Sequence, residues 1–210
     1  SISVQDGRVA AAIPVGDRPT SVAVGAGAVW TLNADDQTIS RIDLSTHQVR
    51  SIGIGAIPKD IAIGAGAVWV GSQRSSERPS TMTTLLRLEP SSGAVTRRIE
   101  LPRIGPVVTG FGESAGGSVI GVARNAVWVV DPDLTVSRIA PATGKVVRIV
   151  RGLVANTLTV GDGVVWVVGR DGTLSRIDPR TNRVTARIAV PAASLAAVAF
   201  GAGSVWVSDP

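Results

Sequence analysis

A chain of 210 residues, 44% of them hydrophobic, can bury one sizeable core, and it has neither the roughly 18 consecutive apolar residues of a membrane helix nor the basic-plus-apolar start of a signal peptide. The absence of cysteine excludes disulfides, thiolate chemistry and sulfur-ligated zinc. The net charge of +5 comes from arginines spread along the chain without a basic block, and two Phe with no Tyr leave little for base stacking, so nucleic-acid binding is not expected.

Taken in order, SISVQDGRVAAAIPVG (1–16) reads as the third and fourth strands of a four-stranded unit with a shortened QDG turn. It begins inside the pattern without an initiator Met, as expected of an excised domain or a processed product. A complete unit follows: SVAVG, a GAG turn, AVW ending at Trp30, a loop, TISRID from Thr38, a turn at His47 and a fourth strand. The second unit has IAIGAGAVW ending at Trp69 and TLLRLEP from Thr84. The third has GVARNAVW ending at Trp128 and TVSRIAP from Thr135. The fourth has LTVGDGVVW ending at Trp166 and TLSRIDP from Thr173, and the chain ends on VAFGAGSVW, with Trp206, which supplies only the first two strands of a unit.

The β-branched enrichment, the Gly, Asp, Asn and Pro punctuation and the lack of helical spacing favour strands throughout. Four antiparallel strands in about 40 residues make the blade of a β-propeller. The expected fold is therefore all-β, a propeller of five four-stranded blades in which both termini compose one blade, as a single domain over 1–210. A fragment of a six- or seven-bladed ring is the alternative, and a β-solenoid fits less well because its repeats are shorter. A closed ring is expected to be a monomer.

The recurring residues read as scaffold. Gly25, Gly27, Gly64 and Gly66 are expected at positive φ in hairpin turns, and the tryptophans between neighbouring sheets rather than as an exposed sugar-stacking platform. Arg41, Arg87, Arg138 and Arg176 recur in the third strands, with Asp43, Glu89 and Asp178 as expected inter-blade salt-bridge partners. His47, the one histidine, fills a turn position where sister units have Gly93, Gly144 or Asn182. Neither a metal cluster nor a nucleophile with its base can be assembled around it, so no catalytic residue, metal or cofactor is assigned.

Function is sought where the repetition breaks. From Trp30, Trp69, Trp128 and Trp166 to the next third-strand Arg the distances are 11, 18, 10 and 10 residues, which puts an insertion in GSQRSSERPSTMTT (71–84). From that Arg to the next Trp they are 28, 41, 28 and 30, which puts a longer one in PRIGPVVTGFGESAGGSVIG (102–121). In a propeller both connections emerge on one face, where long loops on a rigid scaffold usually bind. The candidate contacts are Arg74, Glu77 and Arg78 in the first insertion and Phe111, Glu113 and Ser114 in the second. Shorter loops add Lys59 and Asp60, with Asp17, Arg18, Asn156, Arg170 and Asp171.

The units PVGDRPTSVAVGAGAVW and TLSRIDPRTNRV resemble the YVTN-type and virginiamycin B lyase-like propeller repeats, and look especially like the extracytoplasmic sensor propellers of actinobacterial kinases and regulators. The resemblance implies recognition more often than catalysis, outside the cytoplasm, of a small molecule, a cell-wall fragment or a protein. The lyase relatives use a histidine base, a carboxylate and a divalent metal. Here the one histidine, His47, lies on the face opposite the insertions, so the chain departs from that pattern. The leading expectation is a non-catalytic sensor or interaction module. Behind it stand a lyase or hydrolase using Glu113 and Asp60, and a structural spacer.

Overall fold

The structure, a computed structural model, describes residues 3, 5–73, 82–102, 119–123, 125–191 and 195–208. These hold 18 strands and no helix. The first sheet runs β1 (Pro19–Gly25), β2 (Ala28–Asn33), β3 (Thr38–Asp43), β4 (Val49–Gly53), and the second β5 (Ile57–Gly64), β6 (Ala67–Gln73), β7 (Thr84–Leu88), β8 (Val95–Glu100). The third is β9 (Ile120–Ala123), β10 (Ala126–Val130), β11 (Val136–Ile139), β12 (Val146–Val150), and the fourth β13 (Ala155–Gly161), β14 (Val164–Gly169), β15 (Thr173–Asp178), β16 (Arg183–Ala189). A two-stranded sheet, β17 (Ala197–Gly201) and β18 (Ser204–Ser208), completes the series. Every sheet is an antiparallel meander in chain order, and the first strands pack in succession, β1 on β5, β5 on β9, β9 on β13 and β13 on β17. This is the stacking of propeller blades about an axis lined by first strands.

The expected composite blade has its β17–β18 half in place. Its other half is expected over residues 1–16; Ser1, Ile2 and Val4 lie outside the described residues, and 8–16, the expected fourth strand, form no strand and carry a single bridge at Val9, so β17–β18 is a two-stranded sheet among the described residues. The QDG turn joining that half is formed: the Ser3 N–H donates to Arg8 O at 2.8 Å and the Gly7 N–H to Ser3 O at 2.9 Å, with Gly7 at φ 70°.

The glycine expectation holds at only one of each pair. Gly25 pairs with Ala28, so the two turn residues are Ala26 (φ 52°) and Gly27 (φ 74°), and Ala65 with Gly66 repeats the geometry. Positive φ at both central positions is the turn that matches strand twist. Gly25 and Gly64 serve close approach instead. A Cβ on Gly25 would lie 3.0 Å from Ile63 Cγ2, and one on Gly64 would lie 2.7 Å from Val122 Cγ1, both side chains belonging to the next blade.

The core lies between blades. Trp30 is buried with Ile61, Val68, Leu86 and Leu88 of the second blade, and Trp69 with Ile120, Val127 and Val129 of the third. Trp128 is buried in the same way with Leu158, Val165 and Val167 of the fourth. These three rings are fully buried, so they offer no stacking platform. Two of the third-strand arginines lie beside these rings, whereas Arg87 and Arg176 donate to Thr96 and Thr185 of their own blades. The Arg41 guanidinium is 5.8 Å from the Trp30 ring centroid and its Nε donates to Pro90 O of the next blade at 3.1 Å, while Arg138 lies 6.0 Å from Trp128.

The partner carboxylates do not make the expected inter-blade salt bridges. Asp43 sits 3.8 Å from its own strand's Arg41 and caps its own turn, accepting from the backbone N–H of Ser45 and Thr46. Glu89 accepts from Ser91 and Ser92, and Asp178 from the Arg180 N–H. These bonds favour the ionised form, holding Glu89 down at about 2 and Asp43 further down. His47, Gly93, Gly144 and Asn182 close the same turns in the left-handed region, each N–H donating to the carbonyl four residues back.

Candidate functional site

The connections from second to third strands and from fourth strands to the next blade share one end of the stack, here the upper face. Both insertions emerge there, and their anchors are described although Arg74, Glu77, Arg78, Phe111, Glu113 and Ser114 lie outside the described residues. The Thr83 N–H donates to Ser72 O and the Leu101 N–H donates to Thr83 O, both at 3.0 Å. Thr83 thus ties the end of the first insertion to the start of the second. Met82, Leu101, Ile120 and the half-buried Val119 share one apolar cluster beneath them. A Cβ on Gly71 would overlap the Met82 sulfur, so this glycine leaves room for the side chain at the foot of the first insertion.

The far end of the second insertion is held by Asp60. Its Oδ2 accepts from the Val119 N–H at 2.8 Å and the Ile120 N–H at 2.9 Å, and its Oδ1 accepts from the Ile61 N–H at 2.8 Å. Val119 is pinned from the other side as well, its carbonyl accepting from the Val130 N–H at 2.9 Å. Asp60 therefore fixes where the insertion rejoins the sheet, and Lys59 stands beside it, half-buried, at the start of β5.

The shorter loops have their own fastenings. Arg18 pairs with Asp35 at 2.8 Å between two well-exposed side chains, and Asp36 accepts from the Asp17 N–H at 2.7 Å. Asn156 Nδ2 donates across the blade boundary to Leu195 O at 3.3 Å. Asp171 accepts from the Thr173 hydroxyl at 2.7 Å, and partial burial pulls the Arg170 guanidinium below its ordinary pKa.

One polar group on this face was missed in the sequence. Asp131, at the end of β10 next to the Val119 anchor, is 2% exposed and accepts from the hydroxyls of Ser137 at 2.7 Å and Thr135 at 2.9 Å, while its Oδ1 has no hydrogen-bond partner. Burial outweighs those two bonds and pushes its carboxyl up to about 7. Asn33 holds the matching place in the first blade, donating to Thr38 and Ser40. The position holds Asn33, Ser72, Asp131 or Gly169, and this variety hides the role.

Asp60 spends both oxygens on backbone donors, and Asp131 is shut away from solvent. Among the described residues no three His, Asp or Glu side chains gather as a metal set.

No protein-family model matches the chain, and no curated protein does. Solved structures do. BamB from Moraxella catarrhalis superposes with a TM-score of 0.64 at 13% identity, over 92% of this chain and 54% of that one. The computationally designed Ika8 protein gives 0.67 at 17% over 90% and 57%, and the WD40 β-propeller domain of Doa1 gives 0.63 at 14% over 92% and 62%. The likeness shows a β-propeller fold, and the chain spans about half to three fifths of the length of these structures.

Proposed function

We propose that this chain is a non-catalytic sensor or interaction propeller that binds its ligand through the upper face of the second and third blades. The carrying observation is the joining of the two insertions at their roots. Thr83 links the root of the segment that contains Arg74, Glu77 and Arg78 to the root of the segment that contains Phe111, Glu113 and Ser114, so two insertions distant in sequence leave the sheet at adjacent points. Asp60 contributes as the clamp on the second segment and Lys59 as a cation at its edge. The resemblance to YVTN-type sensor propellers supports an extracytoplasmic place and a small molecule, cell-wall fragment or protein as the bound species. The described carboxylate of the enzyme reading, Asp60, has both oxygens engaged by backbone donors, which favours an anchoring role over a catalytic one.

Affinity capture from the source organism's extract tests this, run in parallel on the intact chain and on a variant with both insertions cut to the sister units' lengths. The expected result is a species recovered by the intact chain and lost from the trimmed one. Equal recovery on both moves binding off this face.

A further inference from the structure

The outer edge of each complete blade is its fourth strand, and in two blades the turn before the next blade's own fourth strand closes over it with a glycine. A Cβ on Gly93 would overlap Ile52 Cδ1 of the first blade, and one on Gly144 would overlap Arg97 Cδ of the second. The fourth blade has Asn182 at this place, at φ 57° and half-buried. A side chain stands where the sister turns have none. Between this turn and β12 lies a shallow groove of about 790 Å³, lined by residues 146–151 of the third blade and by Asn182, Arg183 and Val184 of the fourth. It sits inside the series of blades, with a complete four-stranded sheet on either side.

The groove presents three kinds of group. β12 ends its sheet and pairs with β11 alone, so alternate N–H and C=O groups along it face outward. Arg148, Arg151 and Arg183 are exposed, and among the described residues none of them is in an ion pair. Arg148 also stands directly opposite Arg138 on β11, a like-charge pairing that an added anion would relieve. Other fourth-strand arginines are spent on the scaffold: Arg187 donates across the blade boundary to Gly152 O at 2.7 Å and Arg98 to Ile54 O at 3.1 Å. Finally, among the described residues Asn182 Oδ1 has no hydrogen-bond partner.

We propose that this groove takes an extended acidic segment of a partner protein, which adds to β12 as a fifth strand and sets its carboxylates against Arg148, Arg151 and Arg183. The charge of the groove selects an acidic partner. The free edge selects a peptide among acidic partners, because a phosphate polymer would answer the arginines but bring no donors for the β12 carbonyls or for Asn182 Oδ1. A peptide backbone brings donors and acceptors at strand spacing, and Val147, 48% exposed on the same edge, offers it apolar contact. This surface is separate from the insertions of the upper face.

Fluorescence anisotropy tests this with a dye-labelled nine-residue peptide of alternating Glu and Thr, whose glutamates fall on one face of an added strand. It is titrated with the intact chain and with Arg148→Glu and Arg183→Glu, both at exposed positions, with melting temperatures confirming that the fold is kept. The same peptide methylated at every backbone nitrogen keeps the charge and loses the donors. The expected result is saturable binding to the intact chain, weakened about tenfold when both arginines are reversed and about as much by methylation of the peptide. Absence of binding to the intact chain overturns the proposal, as does binding that both reversals leave unchanged. Equal binding of the methylated peptide, displaced by inorganic polyphosphate, overturns it in favour of a surface for polyanions of any backbone.

Discussion

Asn33 and Asp131 occupy the same place in two blades, three residues after the tryptophan, and differ in whether the side chain can ionise. Each meets a Thr and a Ser of the third strand, but the amide donates to those hydroxyls whereas the carboxylate accepts from them. With its folded pKa at about 7 against 3.8 for the free group, the buried acid binds its proton more tightly in the folded chain. Its contribution is therefore most favourable below about pH 4 and is lost as pH rises towards 7, the shift corresponding to on the order of 2–4 kcal/mol. Asp131→Asn copies the first blade's solution. Denaturant titrations should show the variant more stable than the parent at pH 8, with the difference shrinking as pH falls to 4. A pH-independent difference would mean that Asp131 is not buried as a titrating acid.

At the scale of the blade, strand number and order were readable because turn punctuation and Val-Trp runs recur at near-constant spacing. Less readable was the work of each glycine, since GAG presents two glycines around an alanine and does not show which pair makes the turn. The structure gives the turn to Ala26 with Gly27 and leaves Gly25 as a contact surface. The carboxylates of the RID motif were misassigned for a similar reason. Their residue type suits a salt bridge as well as a turn cap, and local backbone donors two and three residues ahead are the nearer partners. The close-approach role predicts an asymmetry. Gly64→Ala should destabilise by on the order of 1–3 kcal/mol through overpacking against the β-branched Val122. Gly201→Ala, with open space at its Cβ, should be neutral or stabilising by roughly 0.5–1 kcal/mol. Urea midpoints of the two variants measure this, and equal effects would remove close approach as the reason for the repeat's first glycine.

At the scale of the whole molecule, rigid repetition carries two departures from it. The blades bury their tryptophans against one another, and the upper face gathers what the repeat does not require. That both insertions lie on this face was legible from spacing alone, because Trp-to-Arg and Arg-to-Trp distances localise each one to a connection on the same side. Their shared root at Thr83 was not legible, since a backbone bond to Leu101 leaves no mark in residue type.

The chain's two lysines provide the most direct test, because Lys59 stands on the upper face beside Asp60 and Lys145 follows the Gly144 turn on the opposite face. Amine-reactive footprinting of the chain alone and in complex with its captured ligand would compare them. Binding through the insertions predicts that Lys59 loses reactivity in the complex while Lys145 keeps it. Protection of Lys145 with Lys59 unchanged would contradict the assignment of the binding face.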